Sequence, residues 1–129
     1  DGYLVERTLQ RYVRVGAGII ESGEDASGNW YRIYGDGWAE CGGWISGTPS
    51  SMTAYGSIYY AALEAAVLTF PVEFASVPRI RASLSFNDGV GGVSRVLRNT
   101  TGITSMVVWN GTSGAPNYGV EWRAEGYLA

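Results

Sequence analysis

Arg79-Ile80-Arg81-Ala82-Ser83-Leu84-Ser85-Phe86 is the most regular octapeptide in the chain. Ile80, Ala82, Leu84 and Phe86 fall on one side of an extended backbone, and Arg79, Arg81, Ser83 and Ser85 on the other. A period of two with one apolar side is the signature of a half-buried β-strand. Downstream, Asn87-Asp88-Gly89 turns the chain, and Val93–Arg98 and Ile103–Trp109 read as further strands. The second of these is apolar on both faces and reads as central. Asn110-Gly111 is a strong turn signal. Val120, Trp122 and Ala124 then alternate against Glu121, Arg123 and Glu125, which gives a last half-buried strand.

Upstream, Trp30–Tyr34 and Trp38–Trp44 flank Gly35-Asp36-Gly37 and read as a hairpin, because Gly and Asp tolerate positive φ in tight turns. Residues 22–29, SGEDASGN, form a polar loop without periodicity, and residues 45–57 read as a long Gly/Ser/Thr/Pro-rich loop. Tyr59–Leu68 is ambiguous: Ala61 to Ala66 favour helix by propensity, and the reading leans towards a strand from about Ala65 to Phe70, stopped by Pro71. In residues 1–18, Val5, Leu9 and Tyr12 sit at helical spacing while Tyr12–Val15 alternates like a strand. Short strands separated by turn signals predict an all-β protein, an antiparallel β-sandwich. Its expected interior holds Ile80, Leu84, Phe86, Val107, Val120 and Trp122, with Trp30 and Trp38 also placed in the core by alternation. Residues 1–20 read as a connector and 21–129 as the domain.

Composition narrows the function. A chain of 129 residues suits a single domain. With 46% apolar and 16% charged residues it is globular rather than disordered. The 19 glycines, about twice the usual ~7% share, fit many tight turns. No apolar run approaches the roughly 18 residues of a spanning helix, so membrane insertion is not expected. A net charge of −3 and a pI near 4.8 argue against nucleic-acid binding. The chain opens on Asp1 rather than Met, which reads as a segment of a longer polypeptide. All nine basic residues are arginine. One cysteine, Cys41, excludes an intrachain disulfide and fits a reducing compartment; between apolar and glycine neighbours it reads as a small buried hydrophobe.

Enzymatic chemistry is poorly supplied, and no enzyme, cofactor or metal is expected. Without histidine there is no Ser-His-Asp or Cys-His arrangement, and without lysine there is no Ser-Lys dyad or Schiff base. A glycosidase needs a carboxylate pair. Asp36, Glu40, Glu64, Asp88 and Glu121 are the candidates among twelve acidic residues, but they sit in turns or on solvent-facing positions. Binding is better provided for. Tyr and Trp combine a large apolar area with a polar atom and lose little entropy when held. Trp44, Tyr55, Tyr59, Tyr60 and Tyr118 border loops and Trp109 ends a strand, with Asn87, Asp88, Asn110, Asn117 and Arg95 in or near turns. Trp44, Tyr55, Asn87, Asp88, Asn110 and Tyr118 are the candidate ligand contacts, on loops around 44–60, 87–92 and 110–118. Arg32, Arg79, Arg81 and Arg123 project opposite the apolar faces. Pairing with Glu40, Glu121 and Glu125 is the favoured reading, and a hold on anionic sugars or phosphates the alternative.

Ile19–Trp44, IIESGEDASGNWYRIYGDGWAECGGW, also resembles a module of the distal tail fibres of bacteriophages and prophages. There a V-E-x-G segment precedes a G-x-(Y/W)-x-R strand, a D-G turn and a cysteine-bearing strand. The matching residues here are Glu21, Gly23, Gly28, Trp30, Arg32, Asp36, Gly37 and Cys41. Leu68–Phe74 and Trp122–Ala129 are similar to later landmarks, so the resemblance spans 19–129 as an ordered set of loose motifs. It implies a homotrimeric fibre-tip domain of the virion, made in the host bacterial cytoplasm. The implied function is attachment to a surface glycan such as lipopolysaccharide, or to an outer-membrane protein. In such a trimer residues 1–20 and Tyr59–Leu68 are expected to contribute contacts. A trimerisation domain without receptor contact and a carboxylate-based depolymerase are the competing readings.

Overall fold

A computed structural model describes residues 3–6, 11–14, 18–49, 51–86, 90–111 and 117–129. Eleven strands run in chain order: β1 (Tyr3–Glu6), β2 (Arg11–Arg14), β3 (Ile19–Glu24), β4 (Trp30–Tyr34), β5 (Trp38–Gly47), β6 (Thr53–Tyr55), β7 (Ile58–Thr69), β8 (Arg79–Phe86), β9 (Gly91–Arg98), β10 (Gly102–Asn110) and β11 (Tyr118–Tyr127). No helix occurs among the described residues. Beyond the β1–β2 hairpin, the strands form a five-stranded sheet ordered β3-β4-β5-β11-β8 and a four-stranded sheet ordered β6-β7-β10-β9. Every named strand pairing is antiparallel.

The two sheets bury one apolar face each against the other. Ala39, Cys41, Val120, Trp122 and Ala124 come from the five-stranded sheet, and Ala61, Ile103, Met106 and Val108 from the four-stranded one. This is the expected sandwich. Phe70 and Phe74, on the connection between β7 and β8, fill its side, with Phe70 5.6 Å from both the Trp122 and Phe74 ring centroids. The last residues hold this connection to the sheet: Ala75 N–H donates to Tyr127 O at 2.8 Å, and Leu128 N–H to Gly37 O at 2.9 Å. The hairpin turn carries positive φ at Gly37, and Asp36 Oδ1 accepts from Trp38 N–H at 3.1 Å. These are the turn roles expected of glycine and aspartate.

Several expectations need correction. Residues 45–57 are not one loop: β5 continues to Gly47, and Thr53–Tyr55 pairs with β7. Likewise residues 22–24 belong to β3, which leaves only 25–29 as loop. The alanine-rich segment is strand throughout Ile58–Thr69 because β10 pairs along most of its length, with β6 joining at residues 58–60, and tertiary pairing overrides propensity. Of the expected interior, Val120 and Trp122 are fully buried, while Ile80 and Leu84 are half-buried against the core. The side chain of Phe86 lies outside the described residues.

Val107 faces away from the core, because the register of β10 shifts between Ile103 and Ser105 against both neighbours. That irregularity resets the alternation, so Met106, Val108 and Asn110 turn inward after Ile103. Trp30 and Trp38 are only half-buried. In β4 it is Tyr31 and Ile33 that pack on the core, so Trp30 stands on the outer face. Trp38 packs its ring edge-to-face against Tyr127 at 5.0 Å, away from the interior.

Candidate functional site

β4 pairs with β5 only from Ala39 to Gly42, so beyond Gly42 the ladder partner of β5 is β11 alone. A groove of about 630 Å³ runs along this open stretch, within the roughly 300–1,000 Å³ typical of ligand pockets. Asp25, Ser27 and Asn29 supply polar lining, Trp44, Ile45 and Ser46 come from β5, and Val67 to Pro71 give an apolar wall. Trp44 is 58% exposed, an unusual state for so large an apolar side chain. Its six-membered ring lies over Gly119 of β11, where any Cβ would overlap it.

Asp25 organises the 25–29 loop. Its Oδ1 accepts from Ser27 N–H at 2.9 Å and Asn29 N–H at 3.0 Å, and its Oδ2 from the Asn29 amide at 3.2 Å. Burial works against its ionisation, but the donors from Asn29 and Ser27 together outweigh that and hold the carboxyl below its ordinary range. The loop thus fixes Asp25 and Ser27 beside an exposed indole, with Asn29 itself buried and spent on Asp25.

A second concave region lies on the outer face of the five-stranded sheet. Register places Arg32, Glu40, Glu125 and Arg79 in one row across β4, β5, β11 and β8, and Trp30, Gly42, Arg123 and Arg81 in the next. Glu40 binds Arg123 at 2.9 Å and Arg32 at 3.9 Å; Glu125 meets Arg79 at 3.9 Å. The expected pairing therefore holds for Arg32, Arg79 and Arg123. Arg81 makes no ion pair among the described residues. The Trp30 ring lies across Gly42, with the guanidinium of Arg32 4.9 Å and that of Arg123 5.7 Å from its centroid. A Cβ on Gly42 would stand 2.7 Å from both Trp30 Cζ2 and the Trp122 carbonyl oxygen.

The six candidate contacts do not converge. Trp44 lines the groove. Tyr118 sits close by in β11 but packs half-buried over Gly47, and burial raises its phenol pKa. Tyr55 is 73% exposed on the far sheet, edge-to-face with Tyr60 at 6.4 Å. Asn110 is 1% exposed and opposes Tyr59 at the inner end of β10, so it presents no surface to a ligand. Asn87 and Asp88 lie outside the described residues. Asn117 accepts from the Thr48 hydroxyl, tying the segments after β5 and before β11 together. The polar lining from Asp25, Ser27 and Asn29 had only one sequence signal, an aperiodic run of small polar residues.

No group of three or more His, Cys, Asp or Glu is arranged for a metal among the described residues. Of the carboxylates weighed for hydrolysis, Asp36 caps a turn and Glu40 is held by two guanidiniums. Glu121 opposes Ser83 on the outer face. Glu64 and Asp88 have no described side chain.

No family model and no curated protein sequence matches the chain. Solved structures do match. A C-terminal fragment of the R1 pyocin fibre of P. aeruginosa superposes with a TM-score of 0.55 at 19% identity, over 85% of this chain and 29% of that one. An N-truncated R1-type pyocin tail fibre gives the same TM-score and identity, covering 85% of this chain and 88% of the fragment. The chain thus spans less than a third of the longer fibre fragment and most of the shorter one. Its all-β fold is shared with the C-terminal part of a pyocin tail fibre.

Proposed function

We propose that this chain is the tip domain of a phage-type tail fibre, carried on the virion, and that it attaches the particle to a bacterial surface glycan through the Trp44 groove. The observation that carries the reading is the exposed Trp44 indole at a groove lined by Asp25, Ser27 and Asn29. Flat aromatic faces stack on the C–H faces of sugar rings, while fixed Asp and Ser groups hydrogen-bond hydroxyls. The shared fold with pyocin tail fibres supplies the fibre context. Attachment without hydrolysis fits the engagement of Glu40 by two arginines.

Trp44→Ala removes the stacking surface without touching the core. Adsorption to host cells is expected to fall at least tenfold, about 1.4 kcal/mol or more for one lost aromatic contact, with the melting temperature unchanged. Unchanged adsorption would reject the groove. Adsorption that survives removal of surface polysaccharide but is lost on protease treatment of the cells would replace the glycan with an outer-membrane protein.

We also place self-association on the outer face of the four-stranded sheet. Tyr60, Ala62, Val107 and Trp109 sit there on adjacent paired strands, Tyr60 opposite Trp109 and Ala62 opposite Val107. A fibre tip matches its shaft's symmetry, and threefold closure buries the same patch on each copy. Three grooves then act together, so each needs only modest affinity.

A further inference from the structure

β11 and β8 bring Arg123 and Arg81 directly opposite one another. Like charges in directly paired cross-strand positions are destabilising. The surrounding charges relieve only one of the two. Arg123 is neutralised by Glu40, which Arg32 also shares. Glu125 is drawn to Arg79, one row away, and Glu121 faces Ser83, one row away on the other side. Four guanidiniums share this face with four carboxylates, but the fourth, Glu24, stands opposite Trp30 at the β3 end of the row, away from Arg81 on β8. Arg79, Arg81, Arg123 and Glu125 line a depression of about 150 Å³. A neighbouring one of about 460 Å³ is bounded by Trp30, Arg81, Ser83, Glu121 and Arg123.

We propose that Arg81 and Arg123, flanked by Arg79, form a subsite for an oxyanion, a carboxylate or phosphate borne on a sugar whose ring packs beside Trp30. Planar guanidiniums match both oxyanions through paired N–H···O bonds, and they do so better than an ammonium. An anion between the two opposed arginines removes their repulsion. Trp30, laid across Gly42 and backed by two guanidiniums, adds an apolar wall at the depression's edge. Glu125 and Glu121, at either side, disfavour anions not seated between the arginines. The sugar carrier rests on the attachment reading above, whereas the oxyanion subsite stands on this geometry alone.

The test titrates glucuronate, glucose 6-phosphate and glucose into the full chain, followed by NMR at the Trp30 indole N–H and the arginine side chains. Glucuronate, glucose 6-phosphate or both are expected to shift Trp30 and Arg81, and a response to one anion alone identifies the source as carboxylate or phosphate. The shifts should weaken as salt is raised, since the site is open to solvent. Arg81→Gln should lower affinity roughly tenfold, the loss of one charge-assisted partner, and Arg81→Lys should restore only part of it. Equal shifts with glucose, undiminished anion binding by Arg81→Gln, or no response to either anion would overturn the subsite. Cell adsorption that depends on Trp44, with no anion response, would leave attachment standing and remove this inference. Anion binding without any adsorption would do the reverse.

Discussion

Gly42 and Gly119 are single atoms short of alanine, and both lie beneath a tryptophan. At Gly42 a methyl group meets Trp30 on one side and the rigid Trp122 carbonyl on the other, each at 2.7 Å. The indole can swing away, but the backbone oxygen cannot move without disturbing the β5–β11 ladder. Gly42→Ala should therefore cost about 1–3 kcal/mol, as overpacking does, read by denaturant unfolding. At Gly119 the three nearest atoms all belong to the Trp44 ring, so Gly119→Ala should displace the indole and weaken adsorption more than stability. Cys41 lies at 0% exposure, and burial above all pushes its thiol up to about 12, with Asp25 adding to the shift. A thiol whose folded pKa lies above its unfolded value contributes stability below the ordinary pKa and loses that contribution as pH rises towards 12. Native protein at pH 8 should resist a thiol reagent that reacts at once after unfolding. Rapid native labelling would show that the core opens there.

The most consequential element is β10. Its register shift between Ile103 and Ser105 fixes which of its side chains enter the sandwich. Thr104 is the residue without a partner on β9, since Ile103 pairs with Arg98 and Ser105 with Leu97. Deleting Thr104 would bring Ile103 and Met106 to a spacing of two, so Met106, Val108 and Asn110 would stay inward with the irregularity removed. The unfolding midpoint is therefore expected to fall much less than for a large core truncation, which costs about 2–5 kcal/mol. A deletion variant destabilised as much as a core truncation would mean that the irregularity itself is needed for the fold. β8 shows the opposite behaviour. Its Ile80 and Leu84 face the core and its arginines face outward, as the bare alternation of Arg79–Phe86 says.

For the whole molecule, the two sheets leave two unlike outer faces. One carries the arginine rows and Trp30. The other carries Tyr60, Ala62, Val107 and Trp109, an apolar patch of the kind that marks interfaces. Light scattering at micromolar concentration is expected to give a trimer, and Trp109→Glu to shift it towards monomer while retaining β-type circular dichroism. A folded wild-type monomer at that concentration would count decisively against threefold assembly. Loss of adsorption in a folded Trp109→Glu monomer, with Trp44 untouched, would show how much attachment depends on joining three sites.

The strands of the sandwich are local facts and were open to reading. A period of two, Gly-Asp turns and a stop at proline act over a few residues, so Arg79–Phe86, Trp30–Tyr34 and Trp38–Trp44 emerge from neighbours alone. The resemblance of residues 19–129 to tail fibres likewise lies in the order of linear motifs. What required the assembled fold is every relation between distant segments. Alternation says which residues share a face, but not which face meets the core after a register shift. Hence Asn110 looked available and is enclosed, while Trp30 looked internal and is half outside. The same holds for both proposed sites. Residues 25–29 meet Trp44 and 67–71 only because β4 stops short along β5, and Arg81 meets Arg123 only because β8 pairs with β11. Such contacts are set by strand pairing and sheet packing across the chain, which no window of adjacent residues encodes.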